Sequence, residues 1–313
     1  MKAFILSDPG AADMLQLSDV EKPMIQPDQV LVQIKAISIN PVDAKSRAGK
    51  GVYGRLKEIK PLILGWDISG IVSEVGTEVT DFKVGDEVFG MVNFPGHGRA
   101  YAEYVAAPAS HLALKPDNIS HEEAAAATLA ALTAYQGLVQ QAKVQAGQKV
   151  LIHAAAGGVG HFAVQIAKHL GAHVTGTSSA ANKDLVLKLG ADAHIDYRSV
   201  KFEEVVNDLD FVLETIGGDQ IDRSLEVVKK GGTMISIPSG LSEQITEKAK
   251  AKDINGFFFL VQSSGEDMKI IAEWLEKGIL KAHLSKTYSF EQMFEAHKHV
   301  ETGRTVGKVV VVL

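Results

Sequence analysis

Over the first 120 residues, apolar and polar positions alternate in short runs. Val30-Leu31-Val32-Gln33-Ile34-Lys35-Ala36-Ile37 alternates with period two, the pattern of a strand with one face in a core. Asp67 to Val75 and Glu87 to Met91 predict further strands, and turn signals such as Asp8-Pro9-Gly10 and Val84-Gly85-Asp86 punctuate the runs. Closely spaced short strands of this kind predict a partly closed barrel.

The rhythm changes at Ser120. Ser120-His121-Glu122-Glu123 is a capping box, because the serine side chain can accept from the Glu123 N–H while Glu123 reaches back. It opens an Ala-rich helix expected to run to about Gln141. Strands are then predicted at Lys149–His153, His173–Thr177, Ala193–Asp196, Asp210–Glu214 and Thr233–Ile237, with amphipathic helices between the early ones. Gly256-Phe257-Phe258-Phe259-Leu260-Val261 reads as a sixth strand, and the tail as two helices and a last strand, Lys308–Leu313. Alternating β and α segments predict a doubly wound parallel sheet, so the fold class is α/β, with a β-barrel domain beside a dinucleotide-type domain. The expected division is 1–120 with 262–313, and 121–261. A length of 313 residues suits two domains.

Composition narrows the classes. A net charge of −6 leaves no basic footprint for nucleic acid. With no cysteine, disulfides, thiolate catalysis and Cys-ligated zinc are excluded. Ala124 to Ala142 and Val150 to Ala167 carry no Asp, Glu, Lys or Arg, but Ala, Gln, Thr and Gly dilute both below the hydrophobicity of a membrane span. The start, Met1 to Asp8, lacks the apolar length of a signal peptide, so the expected location is the cytoplasm.

The most informative segment is Val150-Leu151-Ile152-His153-Ala154-Ala155-Ala156-Gly157-Gly158-Val159-Gly160, which follows a predicted strand and opens a predicted helix. Small residues there let the backbone approach a pyrophosphate, whose charge the helix N-terminus stabilises. An NAD site would place a carboxylate about 20 residues beyond the loop, on the ribose hydroxyls. Here Thr177-Ser178-Ser179 occupies that place, followed by Lys183, which suits a 2′-phosphate and favours NADPH.

Gly147-Gln148-x2-Leu151-x3-Ala155-Ala156-Gly157-Gly158-x-Gly160-x4-Gln165-x2-Lys168 resembles the signature of the zinc-independent quinone oxidoreductase (zeta-crystallin-like) branch of the medium-chain dehydrogenases/reductases. The resemblance covers essentially the whole chain. It includes Asn40-Pro41-Val42-Asp43, Gly65-Trp66-Asp67-x2-Gly70, Ala100-Tyr101-Ala102-Glu103-Tyr104-Val105, Leu132-Thr133-Ala134-Tyr135 and Gly303-Arg304-x2-Gly307-Lys308. It implies a GroES-like partly closed barrel as catalytic domain and a Rossmann domain holding NADPH.

The resemblance further implies that Thr133 lies near the nicotinamide. Gly157, Gly158, Val159 and Gly160 would hold the pyrophosphate, and Ser178, Lys183 and Tyr197 the 2′-phosphate. Ile216 and Ile237 would follow strands along the cofactor, Phe259, Leu260 and Val261 would reach the carboxamide, and Lys308 would close the site. Asn40 and Tyr53 match substrate-lining positions, while Lys45 stands where some relatives carry a second tyrosine. Zinc-dependent relatives have a Cys ligand near Pro41 or Val42 and a His-Glu pair where this chain has Trp66-Asp67, so no metal is expected. An apolar edge at Phe257-Phe258-Phe259 implies a homodimer.

The implied activity is hydride transfer to quinones or α,β-unsaturated carbonyls, which puts negative charge on the substrate oxygen. The Asn40 amide and the Tyr53 hydroxyl are the candidate donors, although Asn40 can equally order the turn around Pro41. The alternatives are an alkenal reductase with little quinone activity, and a non-catalytic NADPH-binding protein of the crystallin kind. Tyr53-x3-Lys57 and Tyr197-x3-Lys201 imitate the Tyr–Lys pair of short-chain dehydrogenases, but neither stands where that family would need it. No Gly-x-Ser-x-Gly supports a serine hydrolase.

Overall fold

The computed structural model describes residues 1–313. The chain divides into two compact units, Met1–Leu132 with Gln262–Leu313, and Thr133–Val261.

In the first unit the long strand Gln29–Ile39 is the spine. It pairs antiparallel with Asp67–Val75 along one edge, and with Tyr104–Pro108 and Lys308–Val312 along the other. Glu87–Met91 and Leu112–Leu114 extend one side, and Leu284–Ser289, parallel to Lys308–Val312, extends the other. Two register shifts, at Leu31/Val32 and Ile34/Ala36, bend the spine so that different partners occupy its two ends. Gly70 is required at the closest approach of two strands: a Cβ there would stand 2.2 Å from the Gln33 carbonyl oxygen.

The expected helix from Ser120 begins on its capping box, with Ser120 Oγ accepting from the Glu123 N–H and the Ser120 N–H donating to the Glu123 carboxylate. It does not run unbroken to Gln141. It forms His121–Ala126, restarts as Leu129–Tyr135, and widens at Gln136–Gln141, where the Ala142 N–H reaches back five residues to Gly137. Thr128 supplies the break, its hydroxyl donating to Ala125 O at 2.7 Å. His121–Ala126 packs on the sheet of the first unit through Ala125 and Ala126, against Ala36 and Val310. The division therefore falls at 132/133, rather than at the composition change near 120.

The second unit carries an all-parallel sheet in the order Ala193–Asp196, His173–Ser178, Lys149–Ile152, Leu209–Glu214, Val228–Ser236, Asn255–Phe258. Chain order runs outward in both directions from Lys149–Ile152 and Leu209–Glu214. The topological switch point lies between these two strands, where doubly wound sheets bind ligands outside the strands' carboxyl ends. Leu151, Val212, Met234, Ile221 and Leu225 join one apolar cluster beneath the sheet. The sixth strand is shorter than its apolar run predicted and stops at Phe258, with Phe259 N–H still bonded to Ser236 O.

No helix is long and apolar enough to cross a membrane.

Candidate functional site

In the second unit, the loop between Lys149–Ile152 and the helix Gly160–His169 is tied at both ends. Ala155 N–H donates to Thr177 O at 2.8 Å, and Gly157 N–H closes a turn onto Ala154 O at 2.8 Å. Ala154 adopts φ +46°, a left-handed conformation uncommon for a residue with a side chain. Gly160 admits no substitute without a shift, since a Cβ there would lie 2.1 Å from Ala154 O. His161 Nδ1 and the His161 backbone N–H both meet Gly157 O, at 2.9 and 3.0 Å, which fixes the proton on Nδ1. The N–H groups of Gly158, Val159 and Gly160 make no hydrogen bond within the chain. Three uncommitted amides at the head of a ten-residue helix form an anion cradle.

The other side of the switch point is ordered by Glu214. Its buried carboxylate accepts from Ile216 N–H at 2.7 Å and from Gly217 N–H at 2.9 Å. Burial pushes this carboxyl's pKa up, against the two amides that favour its charge. Thr215 Oγ1 donates to His153 O, so the two switch-point loops are joined. Ile216 is left half-exposed beside them, and Ile237 follows the next strand with its N–H on Glu214 O.

Ser178, Lys183 and Tyr197 come together at the end of the neighbouring strands. Tyr197 N–H donates to Ser178 O, and Ser178 Oγ meets His194 Nε2 at 2.8 Å. Lys183 is exposed, has no ion-pair partner, and lies close enough to His194 to depress that imidazole's pKa, behind the larger effect of burial. Arg198 stacks over the Tyr197 ring at 5.7 Å. His194 and Arg198 were not singled out by sequence reasoning. Arg198 was detectable as a cation beside Tyr197, whereas His194 is brought in only by strand pairing. Thr133 is buried near the start of this unit, and of Phe259, Leu260 and Val261 only Val261 is buried.

In the first unit, register builds a second cluster. Ser38 pairs with Asp67, and Ile39 with Val309, so Asn40, Asp67 and Lys308 converge where three strands begin or end. All three are withdrawn from water, at 2, 0 and 3% exposure. Asn40 Nδ2 donates to Asp67 Oδ2 at 2.7 Å, and Lys308 Nζ donates to Asn40 Oδ1. Lys308 Nζ lies 3.8 Å from Asp67 Oδ2, and Asp67 Oδ1 accepts from Leu129 N–H at 3.1 Å. Burial is the larger effect at both groups, pushing the Asp67 carboxyl up and the Lys308 ammonium down, and each is the main opposite charge that works against it. Lys308, expected on the cofactor, has its ammonium committed here.

Asn40 also caps the helix Pro41–Arg47, and its own N–H donates to Asp43 Oδ2 at 2.7 Å. Asp43 has no cation to itself. Burial first, then the charge of Asp67, push its pKa from 3.8 to about 7. The Tyr101 hydroxyl faces this carboxyl and bonds His297 Nε2 at 2.9 Å. Arg47, equally buried, forks onto Glu301 and reaches Gly10 O. Sequence reasoning gave Asp43, Asp67, Tyr101 and His297 no role. A lone carboxylate in the apolar run Leu62 to Ile71 was the available signal for Asp67, because an unpartnered charge does not survive in such a strand. Tyr53 is not drawn into this cluster. It sits half-buried on the short turn Tyr53–Arg55, and its hydroxyl has no hydrogen-bond partner.

Trp66 Nε1 is spent on Gly96 O, Asp67 faces an ammonium, and no group of three or more His, Asp or Glu side chains can hold a metal.

Residues 26–117 match the alcohol dehydrogenase GroES-like domain family, and residues 189–311 the family described as zinc-binding dehydrogenase. The 2-methylene-furan-3-one reductase of Solanum lycopersicum is 37% identical over 321 residues, covering 99% of this chain and 79% of that protein. The chloroplastic NADPH-dependent alkenal/one oxidoreductase of Arabidopsis thaliana is 36% identical, with the same coverage of 99% and 79%. The structure of the quinone oxidoreductase from Coxiella burnetii superposes with a TM-score of 0.94 at 36% identity, covering 100% of this chain and 99% of that one.

Asp43 sets a pH dependence. Between pH 4 and pH 7 the unfolded chain has released this proton while the folded chain keeps it, so its contribution to stability is lost as pH rises through about 7. Asp43→Asn keeps an acceptor for the Asn40 N–H and cannot titrate. Urea unfolding should show the variant gaining about 2 to 3 kcal/mol on the parent between pH 5 and pH 8. A difference that stays constant with pH would assign the titration elsewhere.

Proposed function

The chain belongs to the medium-chain dehydrogenase/reductase superfamily, alongside quinone oxidoreductases and alkenal reductases, and from that premise we propose that it is a metal-independent, NADPH-dependent reductase of quinones or α,β-unsaturated carbonyls. The observation that carries the reading is the cradle of Gly158, Val159 and Gly160 amides at the switch point, closed against any side chain at Gly160. Those amides would hold the pyrophosphate. Ser178, Lys183, Tyr197 and Arg198 offer hydroxyls and cations for a 2′-phosphate, and Thr133, Ile216, Ile237 and Phe259 to Val261 remain candidates for the nicotinamide half. When bound, NADPH supplies hydride.

The protein's part is electrostatic. As hydride reaches the acceptor, charge builds on its carbonyl oxygen and must meet donors already in place. Asn40 keeps one amide N–H uncommitted, and Tyr53 keeps its hydroxyl free. Asn40 is assigned to that oxygen, Tyr53 is the second candidate donor, and solvent is the final proton source. A metal-independent mechanism is supported by the ammonium beside Asp67 and by the lack of a ligand set. The relatives divide by name between enones and quinones, and pocket chemistry that stabilises an enolate also stabilises a hydroquinone anion.

The reading includes a homodimer in the cytoplasm. Asn255–Phe258 is one of the two edges of the parallel sheet, with Phe258 40% exposed, and pairing of two such edges would cover it.

NADPH oxidation by chelator-treated protein, measured against 1,2- and 1,4-quinones and short enals with NADH in parallel, should show turnover with NADPH, and the better acceptor names the subclass. Turnover that is lost on chelation and restored by zinc would overturn the metal-free mechanism. Lys183→Ala should weaken NADPH by about tenfold, as expected for one lost charge-assisted contact, and leave NADH nearly unchanged. Equal weakening of both would remove Lys183 from the 2′-phosphate. Light scattering should give twice the mass of the 33.5 kDa chain, and Phe258→Lys should halve it. A monomeric parent would refute the edge pairing.

A further inference from the structure

An asparagine amide is usually free to turn end for end, because its oxygen and nitrogen have the same shape. At Asn40 it is not. On one side stands the Lys308 ammonium, which can only donate; on the other stands the Asp67 carboxylate, which can only accept. Turning the amide over would set NH₂ against an ammonium and a carbonyl oxygen against a carboxylate, two repulsive contacts in a site closed to water. Each anchor is itself held from a second direction, Asp67 by Leu129 N–H at 3.1 Å and Lys308 by Ile39 O at 3.4 Å.

Orientation is not the only consequence. A cation on Oδ1 draws electron density out of the amide, so the hydrogens on Nδ2 become more positive and better donors. One of these hydrogens is taken by Asp67 Oδ2 at 2.7 Å, and the other has no partner in the chain. The arrangement is therefore a donor of fixed direction, polarised from behind, and requiring no reorganisation when charge develops in front of it.

We propose that Asp67 and Lys308 are positioning residues for the reduction step, acting through Asn40: they lock and polarise its amide so that the free N–H meets the oxyanion of the reduced quinone or enone. This rests on the assignment of Asn40 to the acceptor oxygen, and the experiment separates the two claims. Lys308 then contributes to catalysis from inside the first unit rather than by contact with the nucleotide. Neither side chain reaches the substrate.

Removing one charge alone would leave the other buried and unpaired, so the informative variant removes both, Asp67→Asn with Lys308→Met. Rates are measured in the parent and in an Asn40→Ala background, with NADPH affinity by fluorescence titration and folding by thermal unfolding. In the parent background the double variant should lower kcat by about tenfold or more, with NADPH affinity and acceptor KM within about threefold. In the Asn40→Ala background the same pair should cost nothing further. An equal loss in both backgrounds, or a fully active folded double variant beside an impaired Asn40→Ala, would overturn the positioning role and leave the Asn40 assignment standing. Unchanged kcat in Asn40→Ala alone would overturn that assignment and the inference with it. Should the double variant not fold, Asp67→Asn with Lys308→Gln, which removes both charges and retains a donor for Asn40 Oδ1, carries the same comparison between backgrounds.

Discussion

Asp43, Asp67 and Lys308 are sealed from water together within the first unit, and a low-dielectric interior does not tolerate an unmatched charge. Lys308 and Asp67 balance each other, and Asp43, left without a cation of its own, holds its proton to about pH 7. The requirement fixes more than three side chains. It ties the start of Asp67–Val75, the start of Lys308–Val312 and the end of Gln29–Ile39 to one point, through Asn40. Through Leu129 it also ties the head of the helix Leu129–Tyr135 to that point, and through Asp43 the first turn of Pro41–Arg47. A strand drawn away from the point would strand a charge in an apolar setting.

The second unit depends on a steric constraint instead. Its parallel strands deliver two loops to the switch point, and those loops bond each other through Thr215 and His153 O. Contact with Ala154 O excludes a side chain at Gly160, while the helix that follows leaves its first amides free. The same backbone that cannot satisfy itself there is what an anionic ligand would satisfy. A buried His153, its pKa held down to about 3 by burial, packs behind the loop with Thr177, Ser224 and Gln220 as neutral partners.

The superfamily includes proteins named for zinc, and the metal-independent mechanism proposed for this chain must meet the same electrostatic demand with side chains. Negative charge on a substrate oxygen needs a nearby positive potential. A metal would supply it directly. On the proposed reading the cation is Lys308, set one amide away from the substrate oxygen and acting through Asn40, which gives its influence a direction. A donor of this kind can serve a quinone or an enone, since both develop their charge on a carbonyl oxygen.

Much of this was legible in the chain itself. Period-two runs located Asp67–Val75 and Glu87–Met91, and the strand–helix rhythm located the parallel sheet, because burial on one face or both writes itself into local order. The glycine loop was equally readable, since close backbone approach admits few residue types. Local order could not reveal that Thr128 breaks the Ala-rich helix, for its hydroxyl bond depends on a particular turn geometry. Nor could it assemble Asn40, Asp67 and Lys308, which stand 27 and 241 residues apart in the sequence and meet only through strand register. Composition determined which charges the chain carries. Tertiary structure decided which of them are buried together, because the cost of burying a charge is set by its neighbours in space and not by its neighbours in sequence.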